Sequence, residues 1–531
     1  MSDKGKAVPK GSPDLSHDDP TAPHRASHKH IEHNMEEPSE NPDLLLADIK
    51  ALRTSVAAAR TAYAGFRQRI ERPGFAASAL NLAHYLALRR QDLRGLQRKL
   101  KVRGMSTLGR SEGHVMATLD AVIATLSGLS PQSGQQLAHP PSDRAFLRGE
   151  QQLVRNTDEL FGQPRSRRAG RIMVTLGTDA AEDPSVIADV AAAGADVVRI
   201  NCGHGDATEW ARMIANARAA GSVRPPRILM DIAGPKVRTL EVITPAKTNR
   251  MNVGDNLWLA HRLDPDRSDP FQATCAPVGV IDWLSVGDLV SLDDGKLSGK
   301  ITARTTDGVL ISISSGRLKG IKLTAERGLN FPGVDLGLDP LTAKDRRDLD
   351  FVALHADLVG MSFVQSAAQV EAFQAELAAR RPDWRTLGLV AKIETPTAVR
   401  NLPDIIVQGA GRQPFAVMIA RGDLAVEIGF ERVAEIQQEI LWLCEAAQIP
   451  AIWATQVLEG LVQDGLPTRS EMTDAANATQ AECVMLNKGA NQAAAVGVLD
   501  RMFRTFAENQ TKKTPTLRAL KSWPEPSSNT R

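Results

Sequence analysis

Residues 389–424 read LVAKIETPTAVRNLPDIIVQGAGRQPFAVMIARGDL, and this stretch constrains the fold most. It holds two short apolar runs, LVAKIE and FAVMIA, each closed by charge. Lys392 and Glu394 end the first, and Arg421 and Asp423 end the second. A segment with helical spacing, 396–408, lies between them, which makes a β-α-β unit of adjacent parallel strands. In parallel α/β sheets ligands bind at the carboxyl edge, where these charges fall. Glu394 and Asp423 are expected to converge there as two hard oxygen ligands, enough for a Mg²⁺ that fills its shell with water and substrate oxygens. Lys392 shares the face of Glu394, two residues on. A divalent cation beside an ammonium suits an anionic, phosphate-bearing substrate. One charged strand end would be an ordinary surface ion pair; two on consecutive strands argue for a site.

The same rhythm extends both ways. RIMVTLG (171–177) reads as a strand bearing Thr175, and a helix follows that opens on Asp183, Pro184 and Ser185 and ends at Gly194. ADVVRINCGHG is the next strand, ending in Arg199, Asn201 and His204, and RILMDIAGPKVRT a third, ending in Asp231, Lys236 and Arg238. The pattern breaks over 240–326 into short alternating runs with turns such as Asp293-Asp294-Gly295, which predicts a small all-β insertion. A helix over 342–356 resumes the rhythm, and ADLVGMSFV gives a fourth strand, ending in Ser362. The two strands of 389–424 follow, then IPAIWATQ (449–456) with Thr455 and Gln456, and AECVMLN (481–487). Eight strand–helix units, polar at nearly every carboxyl end, specify the α/β class and a (β/α)₈ TIM barrel. The insertion enters after strand three on the active-site face, where it can act as a lid.

Ahead of the barrel, residues 1–40 are rich in Pro, Ser, Asp and His and read as a disordered tail. Residues 41–165 carry apolar residues at helical spacing without a β-rich run, which predicts an N-terminal α-helical module. Its basic residues Arg89, Arg90, Arg94 and Lys99 read as a solvated face. The expected divisions are 1–40 tail, 41–165 helical module, 170–239 and 328–510 barrel, 240–327 lid, and 511–531 tail. A net charge of +2 and 4% aromatic residues give no basic, stacking surface for nucleic acid. Cys202, Cys275, Cys444 and Cys483 have no metal-ligand spacing and read as free thiols of a reducing cytoplasm. No secretory or membrane-spanning segment is expected, and homo-oligomerisation is left open.

RINCGHG, LMDIAGPKVRT, ERGLNFPGVDL, AKIETP, VMIARGDLAVEI, ATQVLEG and PTRSEMTDAANA stand in the order and spacing of pyruvate kinase. The resemblance covers about 170–500; the family's C-terminal domain is expected to be absent, because the eighth strand ends near 487. The resemblance implies phosphoryl transfer from phosphoenolpyruvate to ADP, giving pyruvate and ATP in glycolysis. It implies Glu394 and Asp423 as ligands of Mg²⁺, with Mn²⁺ as a substitute. Lys392 resembles the ammonium that stabilises the transferring phosphoryl and the enolate, Arg199 the arginine on the phosphoryl group, and Thr455 the threonine on the protonation path. Gly422 and Asp423 resemble the holders of the substrate carboxylate, and Ser362 is retained near them. His204, Arg238, Arg327 and Asp294 match nucleotide-side and lid positions. Asn201, Asp231 and Lys236 match a monovalent-cation site or its replacement.

Several residues depart from the family pattern. Gly203 replaces a serine that supplies an oxygen to K⁺, and Lys236 replaces a glutamate, so a built-in ammonium is expected to remove the K⁺ requirement. Ala233 replaces a lysine, Ile232 a threonine and Gln365 an arginine, and LNKGANQ stands where the family has Ser-Gly-Glu-Thr. Two other readings remain. One is a Mg²⁺-dependent pyruvate or oxaloacetate lyase, against which the lid argues. The other is a non-catalytic, metabolite-sensing regulatory protein, against which Lys392, Glu394 and Asp423 argue.

Overall fold

The computed structural model describes residues 41–130, 138–164, 168–220, 224–246, 248–508, 510–512 and 514–515. The expected N-terminal tail, the middle of the linker to the barrel and the tail beyond 515 lie outside these. The helical module runs α1 (Pro42–Ala57), α2 (Arg60–Arg67), α3 (Ala76–Arg89), α4 (Arg94–Val102), α5 (Val115–Leu129) and α6 (Asp143–Phe161). The Asn41 side chain caps α1 by accepting from the Asp43 N–H at 2.8 Å, with Pro42 in the first turn, where its missing N–H costs nothing. Leu45, Ile49, Leu52 and Val56 then line one buried face, which packs on α5.

The barrel begins β1 (Arg171–Thr175), α7 (Pro184–Ala193), β2 (Val197–Asn201), α8 (Ala207–Ala219), β3 (Arg227–Asp231). The lid strands follow: β4 (Arg238–Ile243), β5 (Arg250–Met251), β6 (Asn256–Ala260), β7 (Phe271–Ala276), β8 (Leu289–Leu292), β9 (Leu297–Arg304), β10 (Gly308–Gly316), β11 (Ile321–Lys322) and β12 (Leu329–Asn330). The barrel resumes with α9 (Ala343–His355), β13 (Leu358–Met361), α10 (Ala367–Arg380), β14 (Gly388–Ile393), α11 (Pro396–Arg400), α12 (Leu402–Ala410) and β15 (Phe415–Ala420). It ends with α13 (Arg421–Ile428), α14 (Phe430–Ala446), β16 (Ala451–Ala454), α15 (Glu459–Asp464), α16 (Arg469–Ala478), β17 (Cys483–Leu486) and α17 (Gln492–Ala507).

The eight barrel strands close in the order β1-β2-β3-β13-β14-β15-β16-β17, all parallel. Each is pressed between the barrel interior and an outer helix, so all six residues of β15 are buried, which is why FAVMIA has no polar alternation. Inside, Met173, Val197, Leu229, Leu358, Val390, Met418 and Ile452 form one cluster. Leu160 and Phe161, the last residues of α6, enter that cluster. Leu160 lies against Gly388 at the start of β14: a Cβ on that glycine would stand 2.7 Å from the leucine methyl. The module therefore stoppers the barrel's amino end.

The lid has its own core, including Leu257, Leu259, Val290, Ile301, Val309 and Ile311, under a seven-stranded sheet ordered β12-β8-β9-β10-β6-β7-β4. The sheet extends past the expected 240–327 at both ends, because Arg238 pairs with Ala276 and Leu329 with Leu292. The third barrel strand correspondingly stops at Asp231. Lys236 lies on the connecting loop, and Arg238 opens the lid. The expected helix over 396–408 is two helices, broken at Asn401. Past α17 the expected tail opens with a small hairpin, β18 (Gln510–Thr511) and β19 (Thr514–Pro515). Among the described residues the four cysteines are free and buried, and no helix is long and apolar enough to cross a membrane.

Candidate active site

Lys392 is the next-to-last residue of β14, and its ammonium lies 3.0 Å from Glu394 Oε1 and 3.5 Å from Asp231 Oδ2. It also donates to Ser362 Oγ at 2.8 Å; that hydroxyl in turn donates to the Ile232 carbonyl at 2.7 Å. Three strand ends, those of β3, β13 and β14, thus fix one nitrogen. Burial pulls the Lys392 pKa down, but Asp231 and Glu394 outweigh it and hold the ammonium charged. Arg199 leaves β2 beside them, and its Nε donates to Asp231 Oδ2 at 3.0 Å and its Nη1 to Thr175 Oγ1 at 3.2 Å. Burial raises the Asp231 pKa, and Lys392 and Arg199 more than reverse that, so this carboxylate is ionised.

Glu394 is 1% exposed, and its Oε2 accepts the Phe363 N–H at 2.5 Å. Burial, reinforced by the Asp423 charge and opposed by Lys392, pushes its carboxyl pKa up. Asp423 does not end a strand. β15 stops at Ala420, and Arg421-Gly422-Asp423 form the first turn of α13. Its side chain still reaches the cluster, at the positive end of the helix dipole. Lys236 crosses from the lid connection to donate to Asp423 Oδ1 at 2.8 Å and to Asp294 Oδ1 at 3.0 Å. It does not join Asn201 and Asp231 as the family position suggests. Asp231 already has Arg199 and Lys392, whereas Asp294 and Asp423 carry the nearer uncompensated charge. Asn201 Oδ1 instead accepts the Gly203 N–H at 3.0 Å.

Gly422 donates its N–H to Thr455 Oγ1 at 2.9 Å. Thr455 has φ +65°, a left-handed conformation that costs a β-branched residue roughly 1–3 kcal/mol, and Gln456 and Leu458 share the sign. Sequence reasoning missed what holds this turn. Arg421 donates to the carbonyls of Ala454 (3.0 Å) and Thr455 (2.6 Å), is gripped by both Asp474 oxygens (2.6 and 2.9 Å), and lies over the Trp453 ring. Asp474 sits within PTRSEMTDAANA, but only its charge, opposite the arginine of Arg-Gly-Asp, hinted at the pairing. The Phe363 N–H was also missed, since a main-chain donor leaves no residue-type signal.

The remaining expected residues lie around this centre. Asn201 and His204 line a pocket of about 270 Å³ with Arg199. Burial, then the charges of Lys488 and Arg238, keep His204 below the ordinary histidine pKa. Arg238 donates to the Glu326 carbonyl at 3.1 Å, and Arg327 to Asp293 at 3.2 Å, both on the lid side.

The chemistry of the cluster admits a divalent cation. Arg199, Lys236 and Lys392 face Asp231, Asp294, Glu394 and Asp423, one carboxylate in excess of the cations. Among the described residues no three of His, Cys, Asp and Glu gather into a metal cage. The two hard carboxylates Glu394 and Asp423 suit Mg²⁺, which keeps waters and takes substrate oxygens.

A family model described as the pyruvate kinase barrel domain matches residues 167–495. The chain is 34% identical over 348 residues to a pyruvate kinase of Agrobacterium vitis, spanning 64% of this chain and 68% of that one. It is 31% identical over 363 residues to a Mycobacterium intracellulare pyruvate kinase, spanning 66% and 72%. Against a Geobacillus stearothermophilus pyruvate kinase it is 33% identical, spanning 59% and 51%.

Proposed function

The chain belongs to the pyruvate kinase family of phosphotransferases, and from that premise we propose that it moves the phosphoryl group of phosphoenolpyruvate to ADP through the cluster at Lys392. The observation that carries this reading is the meeting of Lys392, Glu394, Asp231 and Arg199 on adjoining strand ends, with Asp423 beside them. The family implies a divalent metal. Glu394 and Asp423 would hold it, and when bound it supplies positive charge against the phosphoryl and enolate oxygens.

This chain's own residues do the rest. The Lys392 ammonium offsets negative charge on the enol oxygen as the phosphorus–oxygen bond breaks and the phosphoryl passes to a β-phosphate oxygen of ADP. Arg199, braced by Asp231 and Thr175, orients the phosphoryl for in-line transfer. The first turn of α13 would meet the substrate carboxylate with its main-chain N–H groups, the Gly422 N–H exchanging its bond to Thr455 Oγ1 for one to the carboxylate. The methylene carbon of the enolate takes a proton from Thr455 Oγ1, which water reprotonates, and the enolate becomes pyruvate. The lid excludes water through the Lys236–Asp294 contact. Four buried free thiols accord with a reducing, cytoplasmic setting.

A lactate dehydrogenase-coupled assay tests this. Pyruvate should form only with phosphoenolpyruvate, ADP and Mg²⁺ together, and chelation should abolish it. Pyruvate released from oxaloacetate without nucleotide would instead mark a lyase. No turnover of either substrate would mark a regulatory protein.

We further propose that turnover needs no K⁺. Gly203 offers no side-chain oxygen, the Ile232 carbonyl is taken by Ser362, and Lys236 brings a fixed ammonium to the acidic cluster. One observation favours the opposite reading: Asp231 Oδ1 is buried without a hydrogen-bond partner, an oxygen that a monovalent cation would seek. Rates in K⁺-free buffer within about twofold of those with K⁺ are expected; activation of about tenfold or more would favour a retained cation site.

A further inference from the structure

The segment LNKGANQ stands where the family has Ser-Gly-Glu-Thr, and its side chains build a rim of their own. β17 ends at Leu486 beside Val174 of β1, and Thr175 of β1 pairs with Arg199 of β2, so the residues after β17 stand on the rim next to Arg199. Side chains fix this rim. Asn487 Nδ2 donates to Glu459 at 2.8 Å, and Gln463 donates to the Lys488 carbonyl at 2.7 Å. Gln492 donates to the carbonyls of Thr175 (2.6 Å) and Asn487 (2.8 Å), tying the tips of the first and last strands. The backbone of Lys488 is therefore held, and its side chain lines the pocket that also contains Arg199, Asn201 and His204.

The other cations of the cleft have carboxylate partners: Arg199 has Asp231, Lys392 has Glu394, Lys236 has Asp294 and Asp423, Arg327 has Asp293, and Arg238 lies 3.9 Å from Glu326. Among the described residues Lys488 is in no ion pair. Its charge and that of Arg238 both act on His204, which burial already disfavours as a cation, and Lys488 and His204 line the same pocket. Glu209 and Glu459 also line the pocket, but Glu459 is held by Asn487 and Gln463, and an ammonium in no ion pair that shares the pocket with Arg199, Leu176, Ile200 and Met213 suits an anionic ligand with an apolar part.

We infer that Lys488 contacts the phosphates of the acceptor nucleoside diphosphate and helps set this chain's affinity for it. The inference rests on the phosphotransferase reading. The ammonium acts as a point charge on a phosphate oxygen, a charge-assisted hydrogen bond that exists only with nucleotide bound.

The test measures ADP binding by calorimetry in Mg²⁺ buffer, and KM for each substrate, for the wild type and for Lys488→Ala, Lys488→Glu and Lys488→Arg. Alanine should weaken ADP binding about fivefold to tenfold and glutamate more, arginine should restore most of it, and KM for phosphoenolpyruvate should move less than about twofold. ADP affinity within about twofold of wild type in both Lys488→Ala and Lys488→Glu would make Lys488 a solvated surface lysine and overturn the inference. Equal rises in both KM values would overturn it too, since they would report a general disturbance of the rim. A wild type that binds ADP but makes no pyruvate strikes the kinase reading, and the calorimetric comparison still judges Lys488. A wild type that binds no ADP defeats both.

Discussion

The two ends of the barrel hold the same kind of chemistry and use it differently. At the amino end the fully buried guanidinium of Arg168 joins Asp196 (2.5 Å) and Asp500 (2.9 Å), and Arg504 takes the other oxygen of Asp500. Two arginines face two aspartates, no charge is left over, and Leu160 and Phe161 keep water from the floor. At the carboxyl end three cations face four carboxylates, a pocket opens beside Arg199, and Thr455 keeps a strained backbone. A balanced, sealed ion cluster has a structural role. An unbalanced one beside an opening can accept a ligand.

The comparison breaks most readily at the sealed end. Arg168→Ala takes the buried cation away from Asp196 and leaves Asp500 with Arg504 alone, and should cost about 3–5 kcal/mol of stability in urea unfolding, with turnover per folded molecule unchanged. Lys392→Ala should invert that pattern, lowering kcat by about 10²–10³-fold in the coupled assay. Its unfolding midpoint should fall less than that of Arg168→Ala, because Asp231 keeps Arg199 and Glu394 keeps the Phe363 N–H. Equal stability losses in the two variants would erase the distinction between the ends. Leu160→Ala should cost about 2–3 kcal/mol, the low end of buried leucine truncations, since the end of α6 can settle into the space.

The smallest effect concerns the module alone. Burial, with Arg60 and Arg53 adding, holds His84 below 6.5; burial also holds His114 down, against Glu150. Both favour the neutral form when folded. Their contribution is present above the unfolded value of 6.5 and is lost as pH falls below it toward the folded values. Unfolding midpoints measured from about pH 7.5 to about pH 6 should drop, and a His84→Gln, His114→Gln double variant should flatten that drop. An unchanged slope would place the pH sensitivity in the barrel.

The barrel was legible because its strands are short, mainly apolar runs with polar residues at or near most carboxyl ends, and because helix signals agreed with them. Asp183, Pro184 and Gly194 bound α7 as read: Asp183 caps it, and Gly194 ends it at φ +115°. The lid edges were not legible, since Arg238 and Leu329 become strands only by pairing with distant partners. Asp423 was read at a strand end because Arg-Gly-Asp carries no apolar residue to reveal that a helix turn starts there. Its proximity to Glu394 was still readable, because consecutive parallel strands bring their following loops together. The partners of Lys236 were beyond the sequence, which shows neither where the lid returns nor which acid has already been neutralised. Leu160 and Phe161 showed helical period, but period tells which face is buried and not against what.

The stopper at the end of α6 makes the barrel here a vessel whose base is supplied from outside its own repeat. Eight strand–helix units would ordinarily be a self-sufficient object; in this chain the interior is completed by residues that precede the first strand. The two parts therefore share a single folding fate, and a barrel cut free at residue 168 would meet solvent with its hollow uncovered.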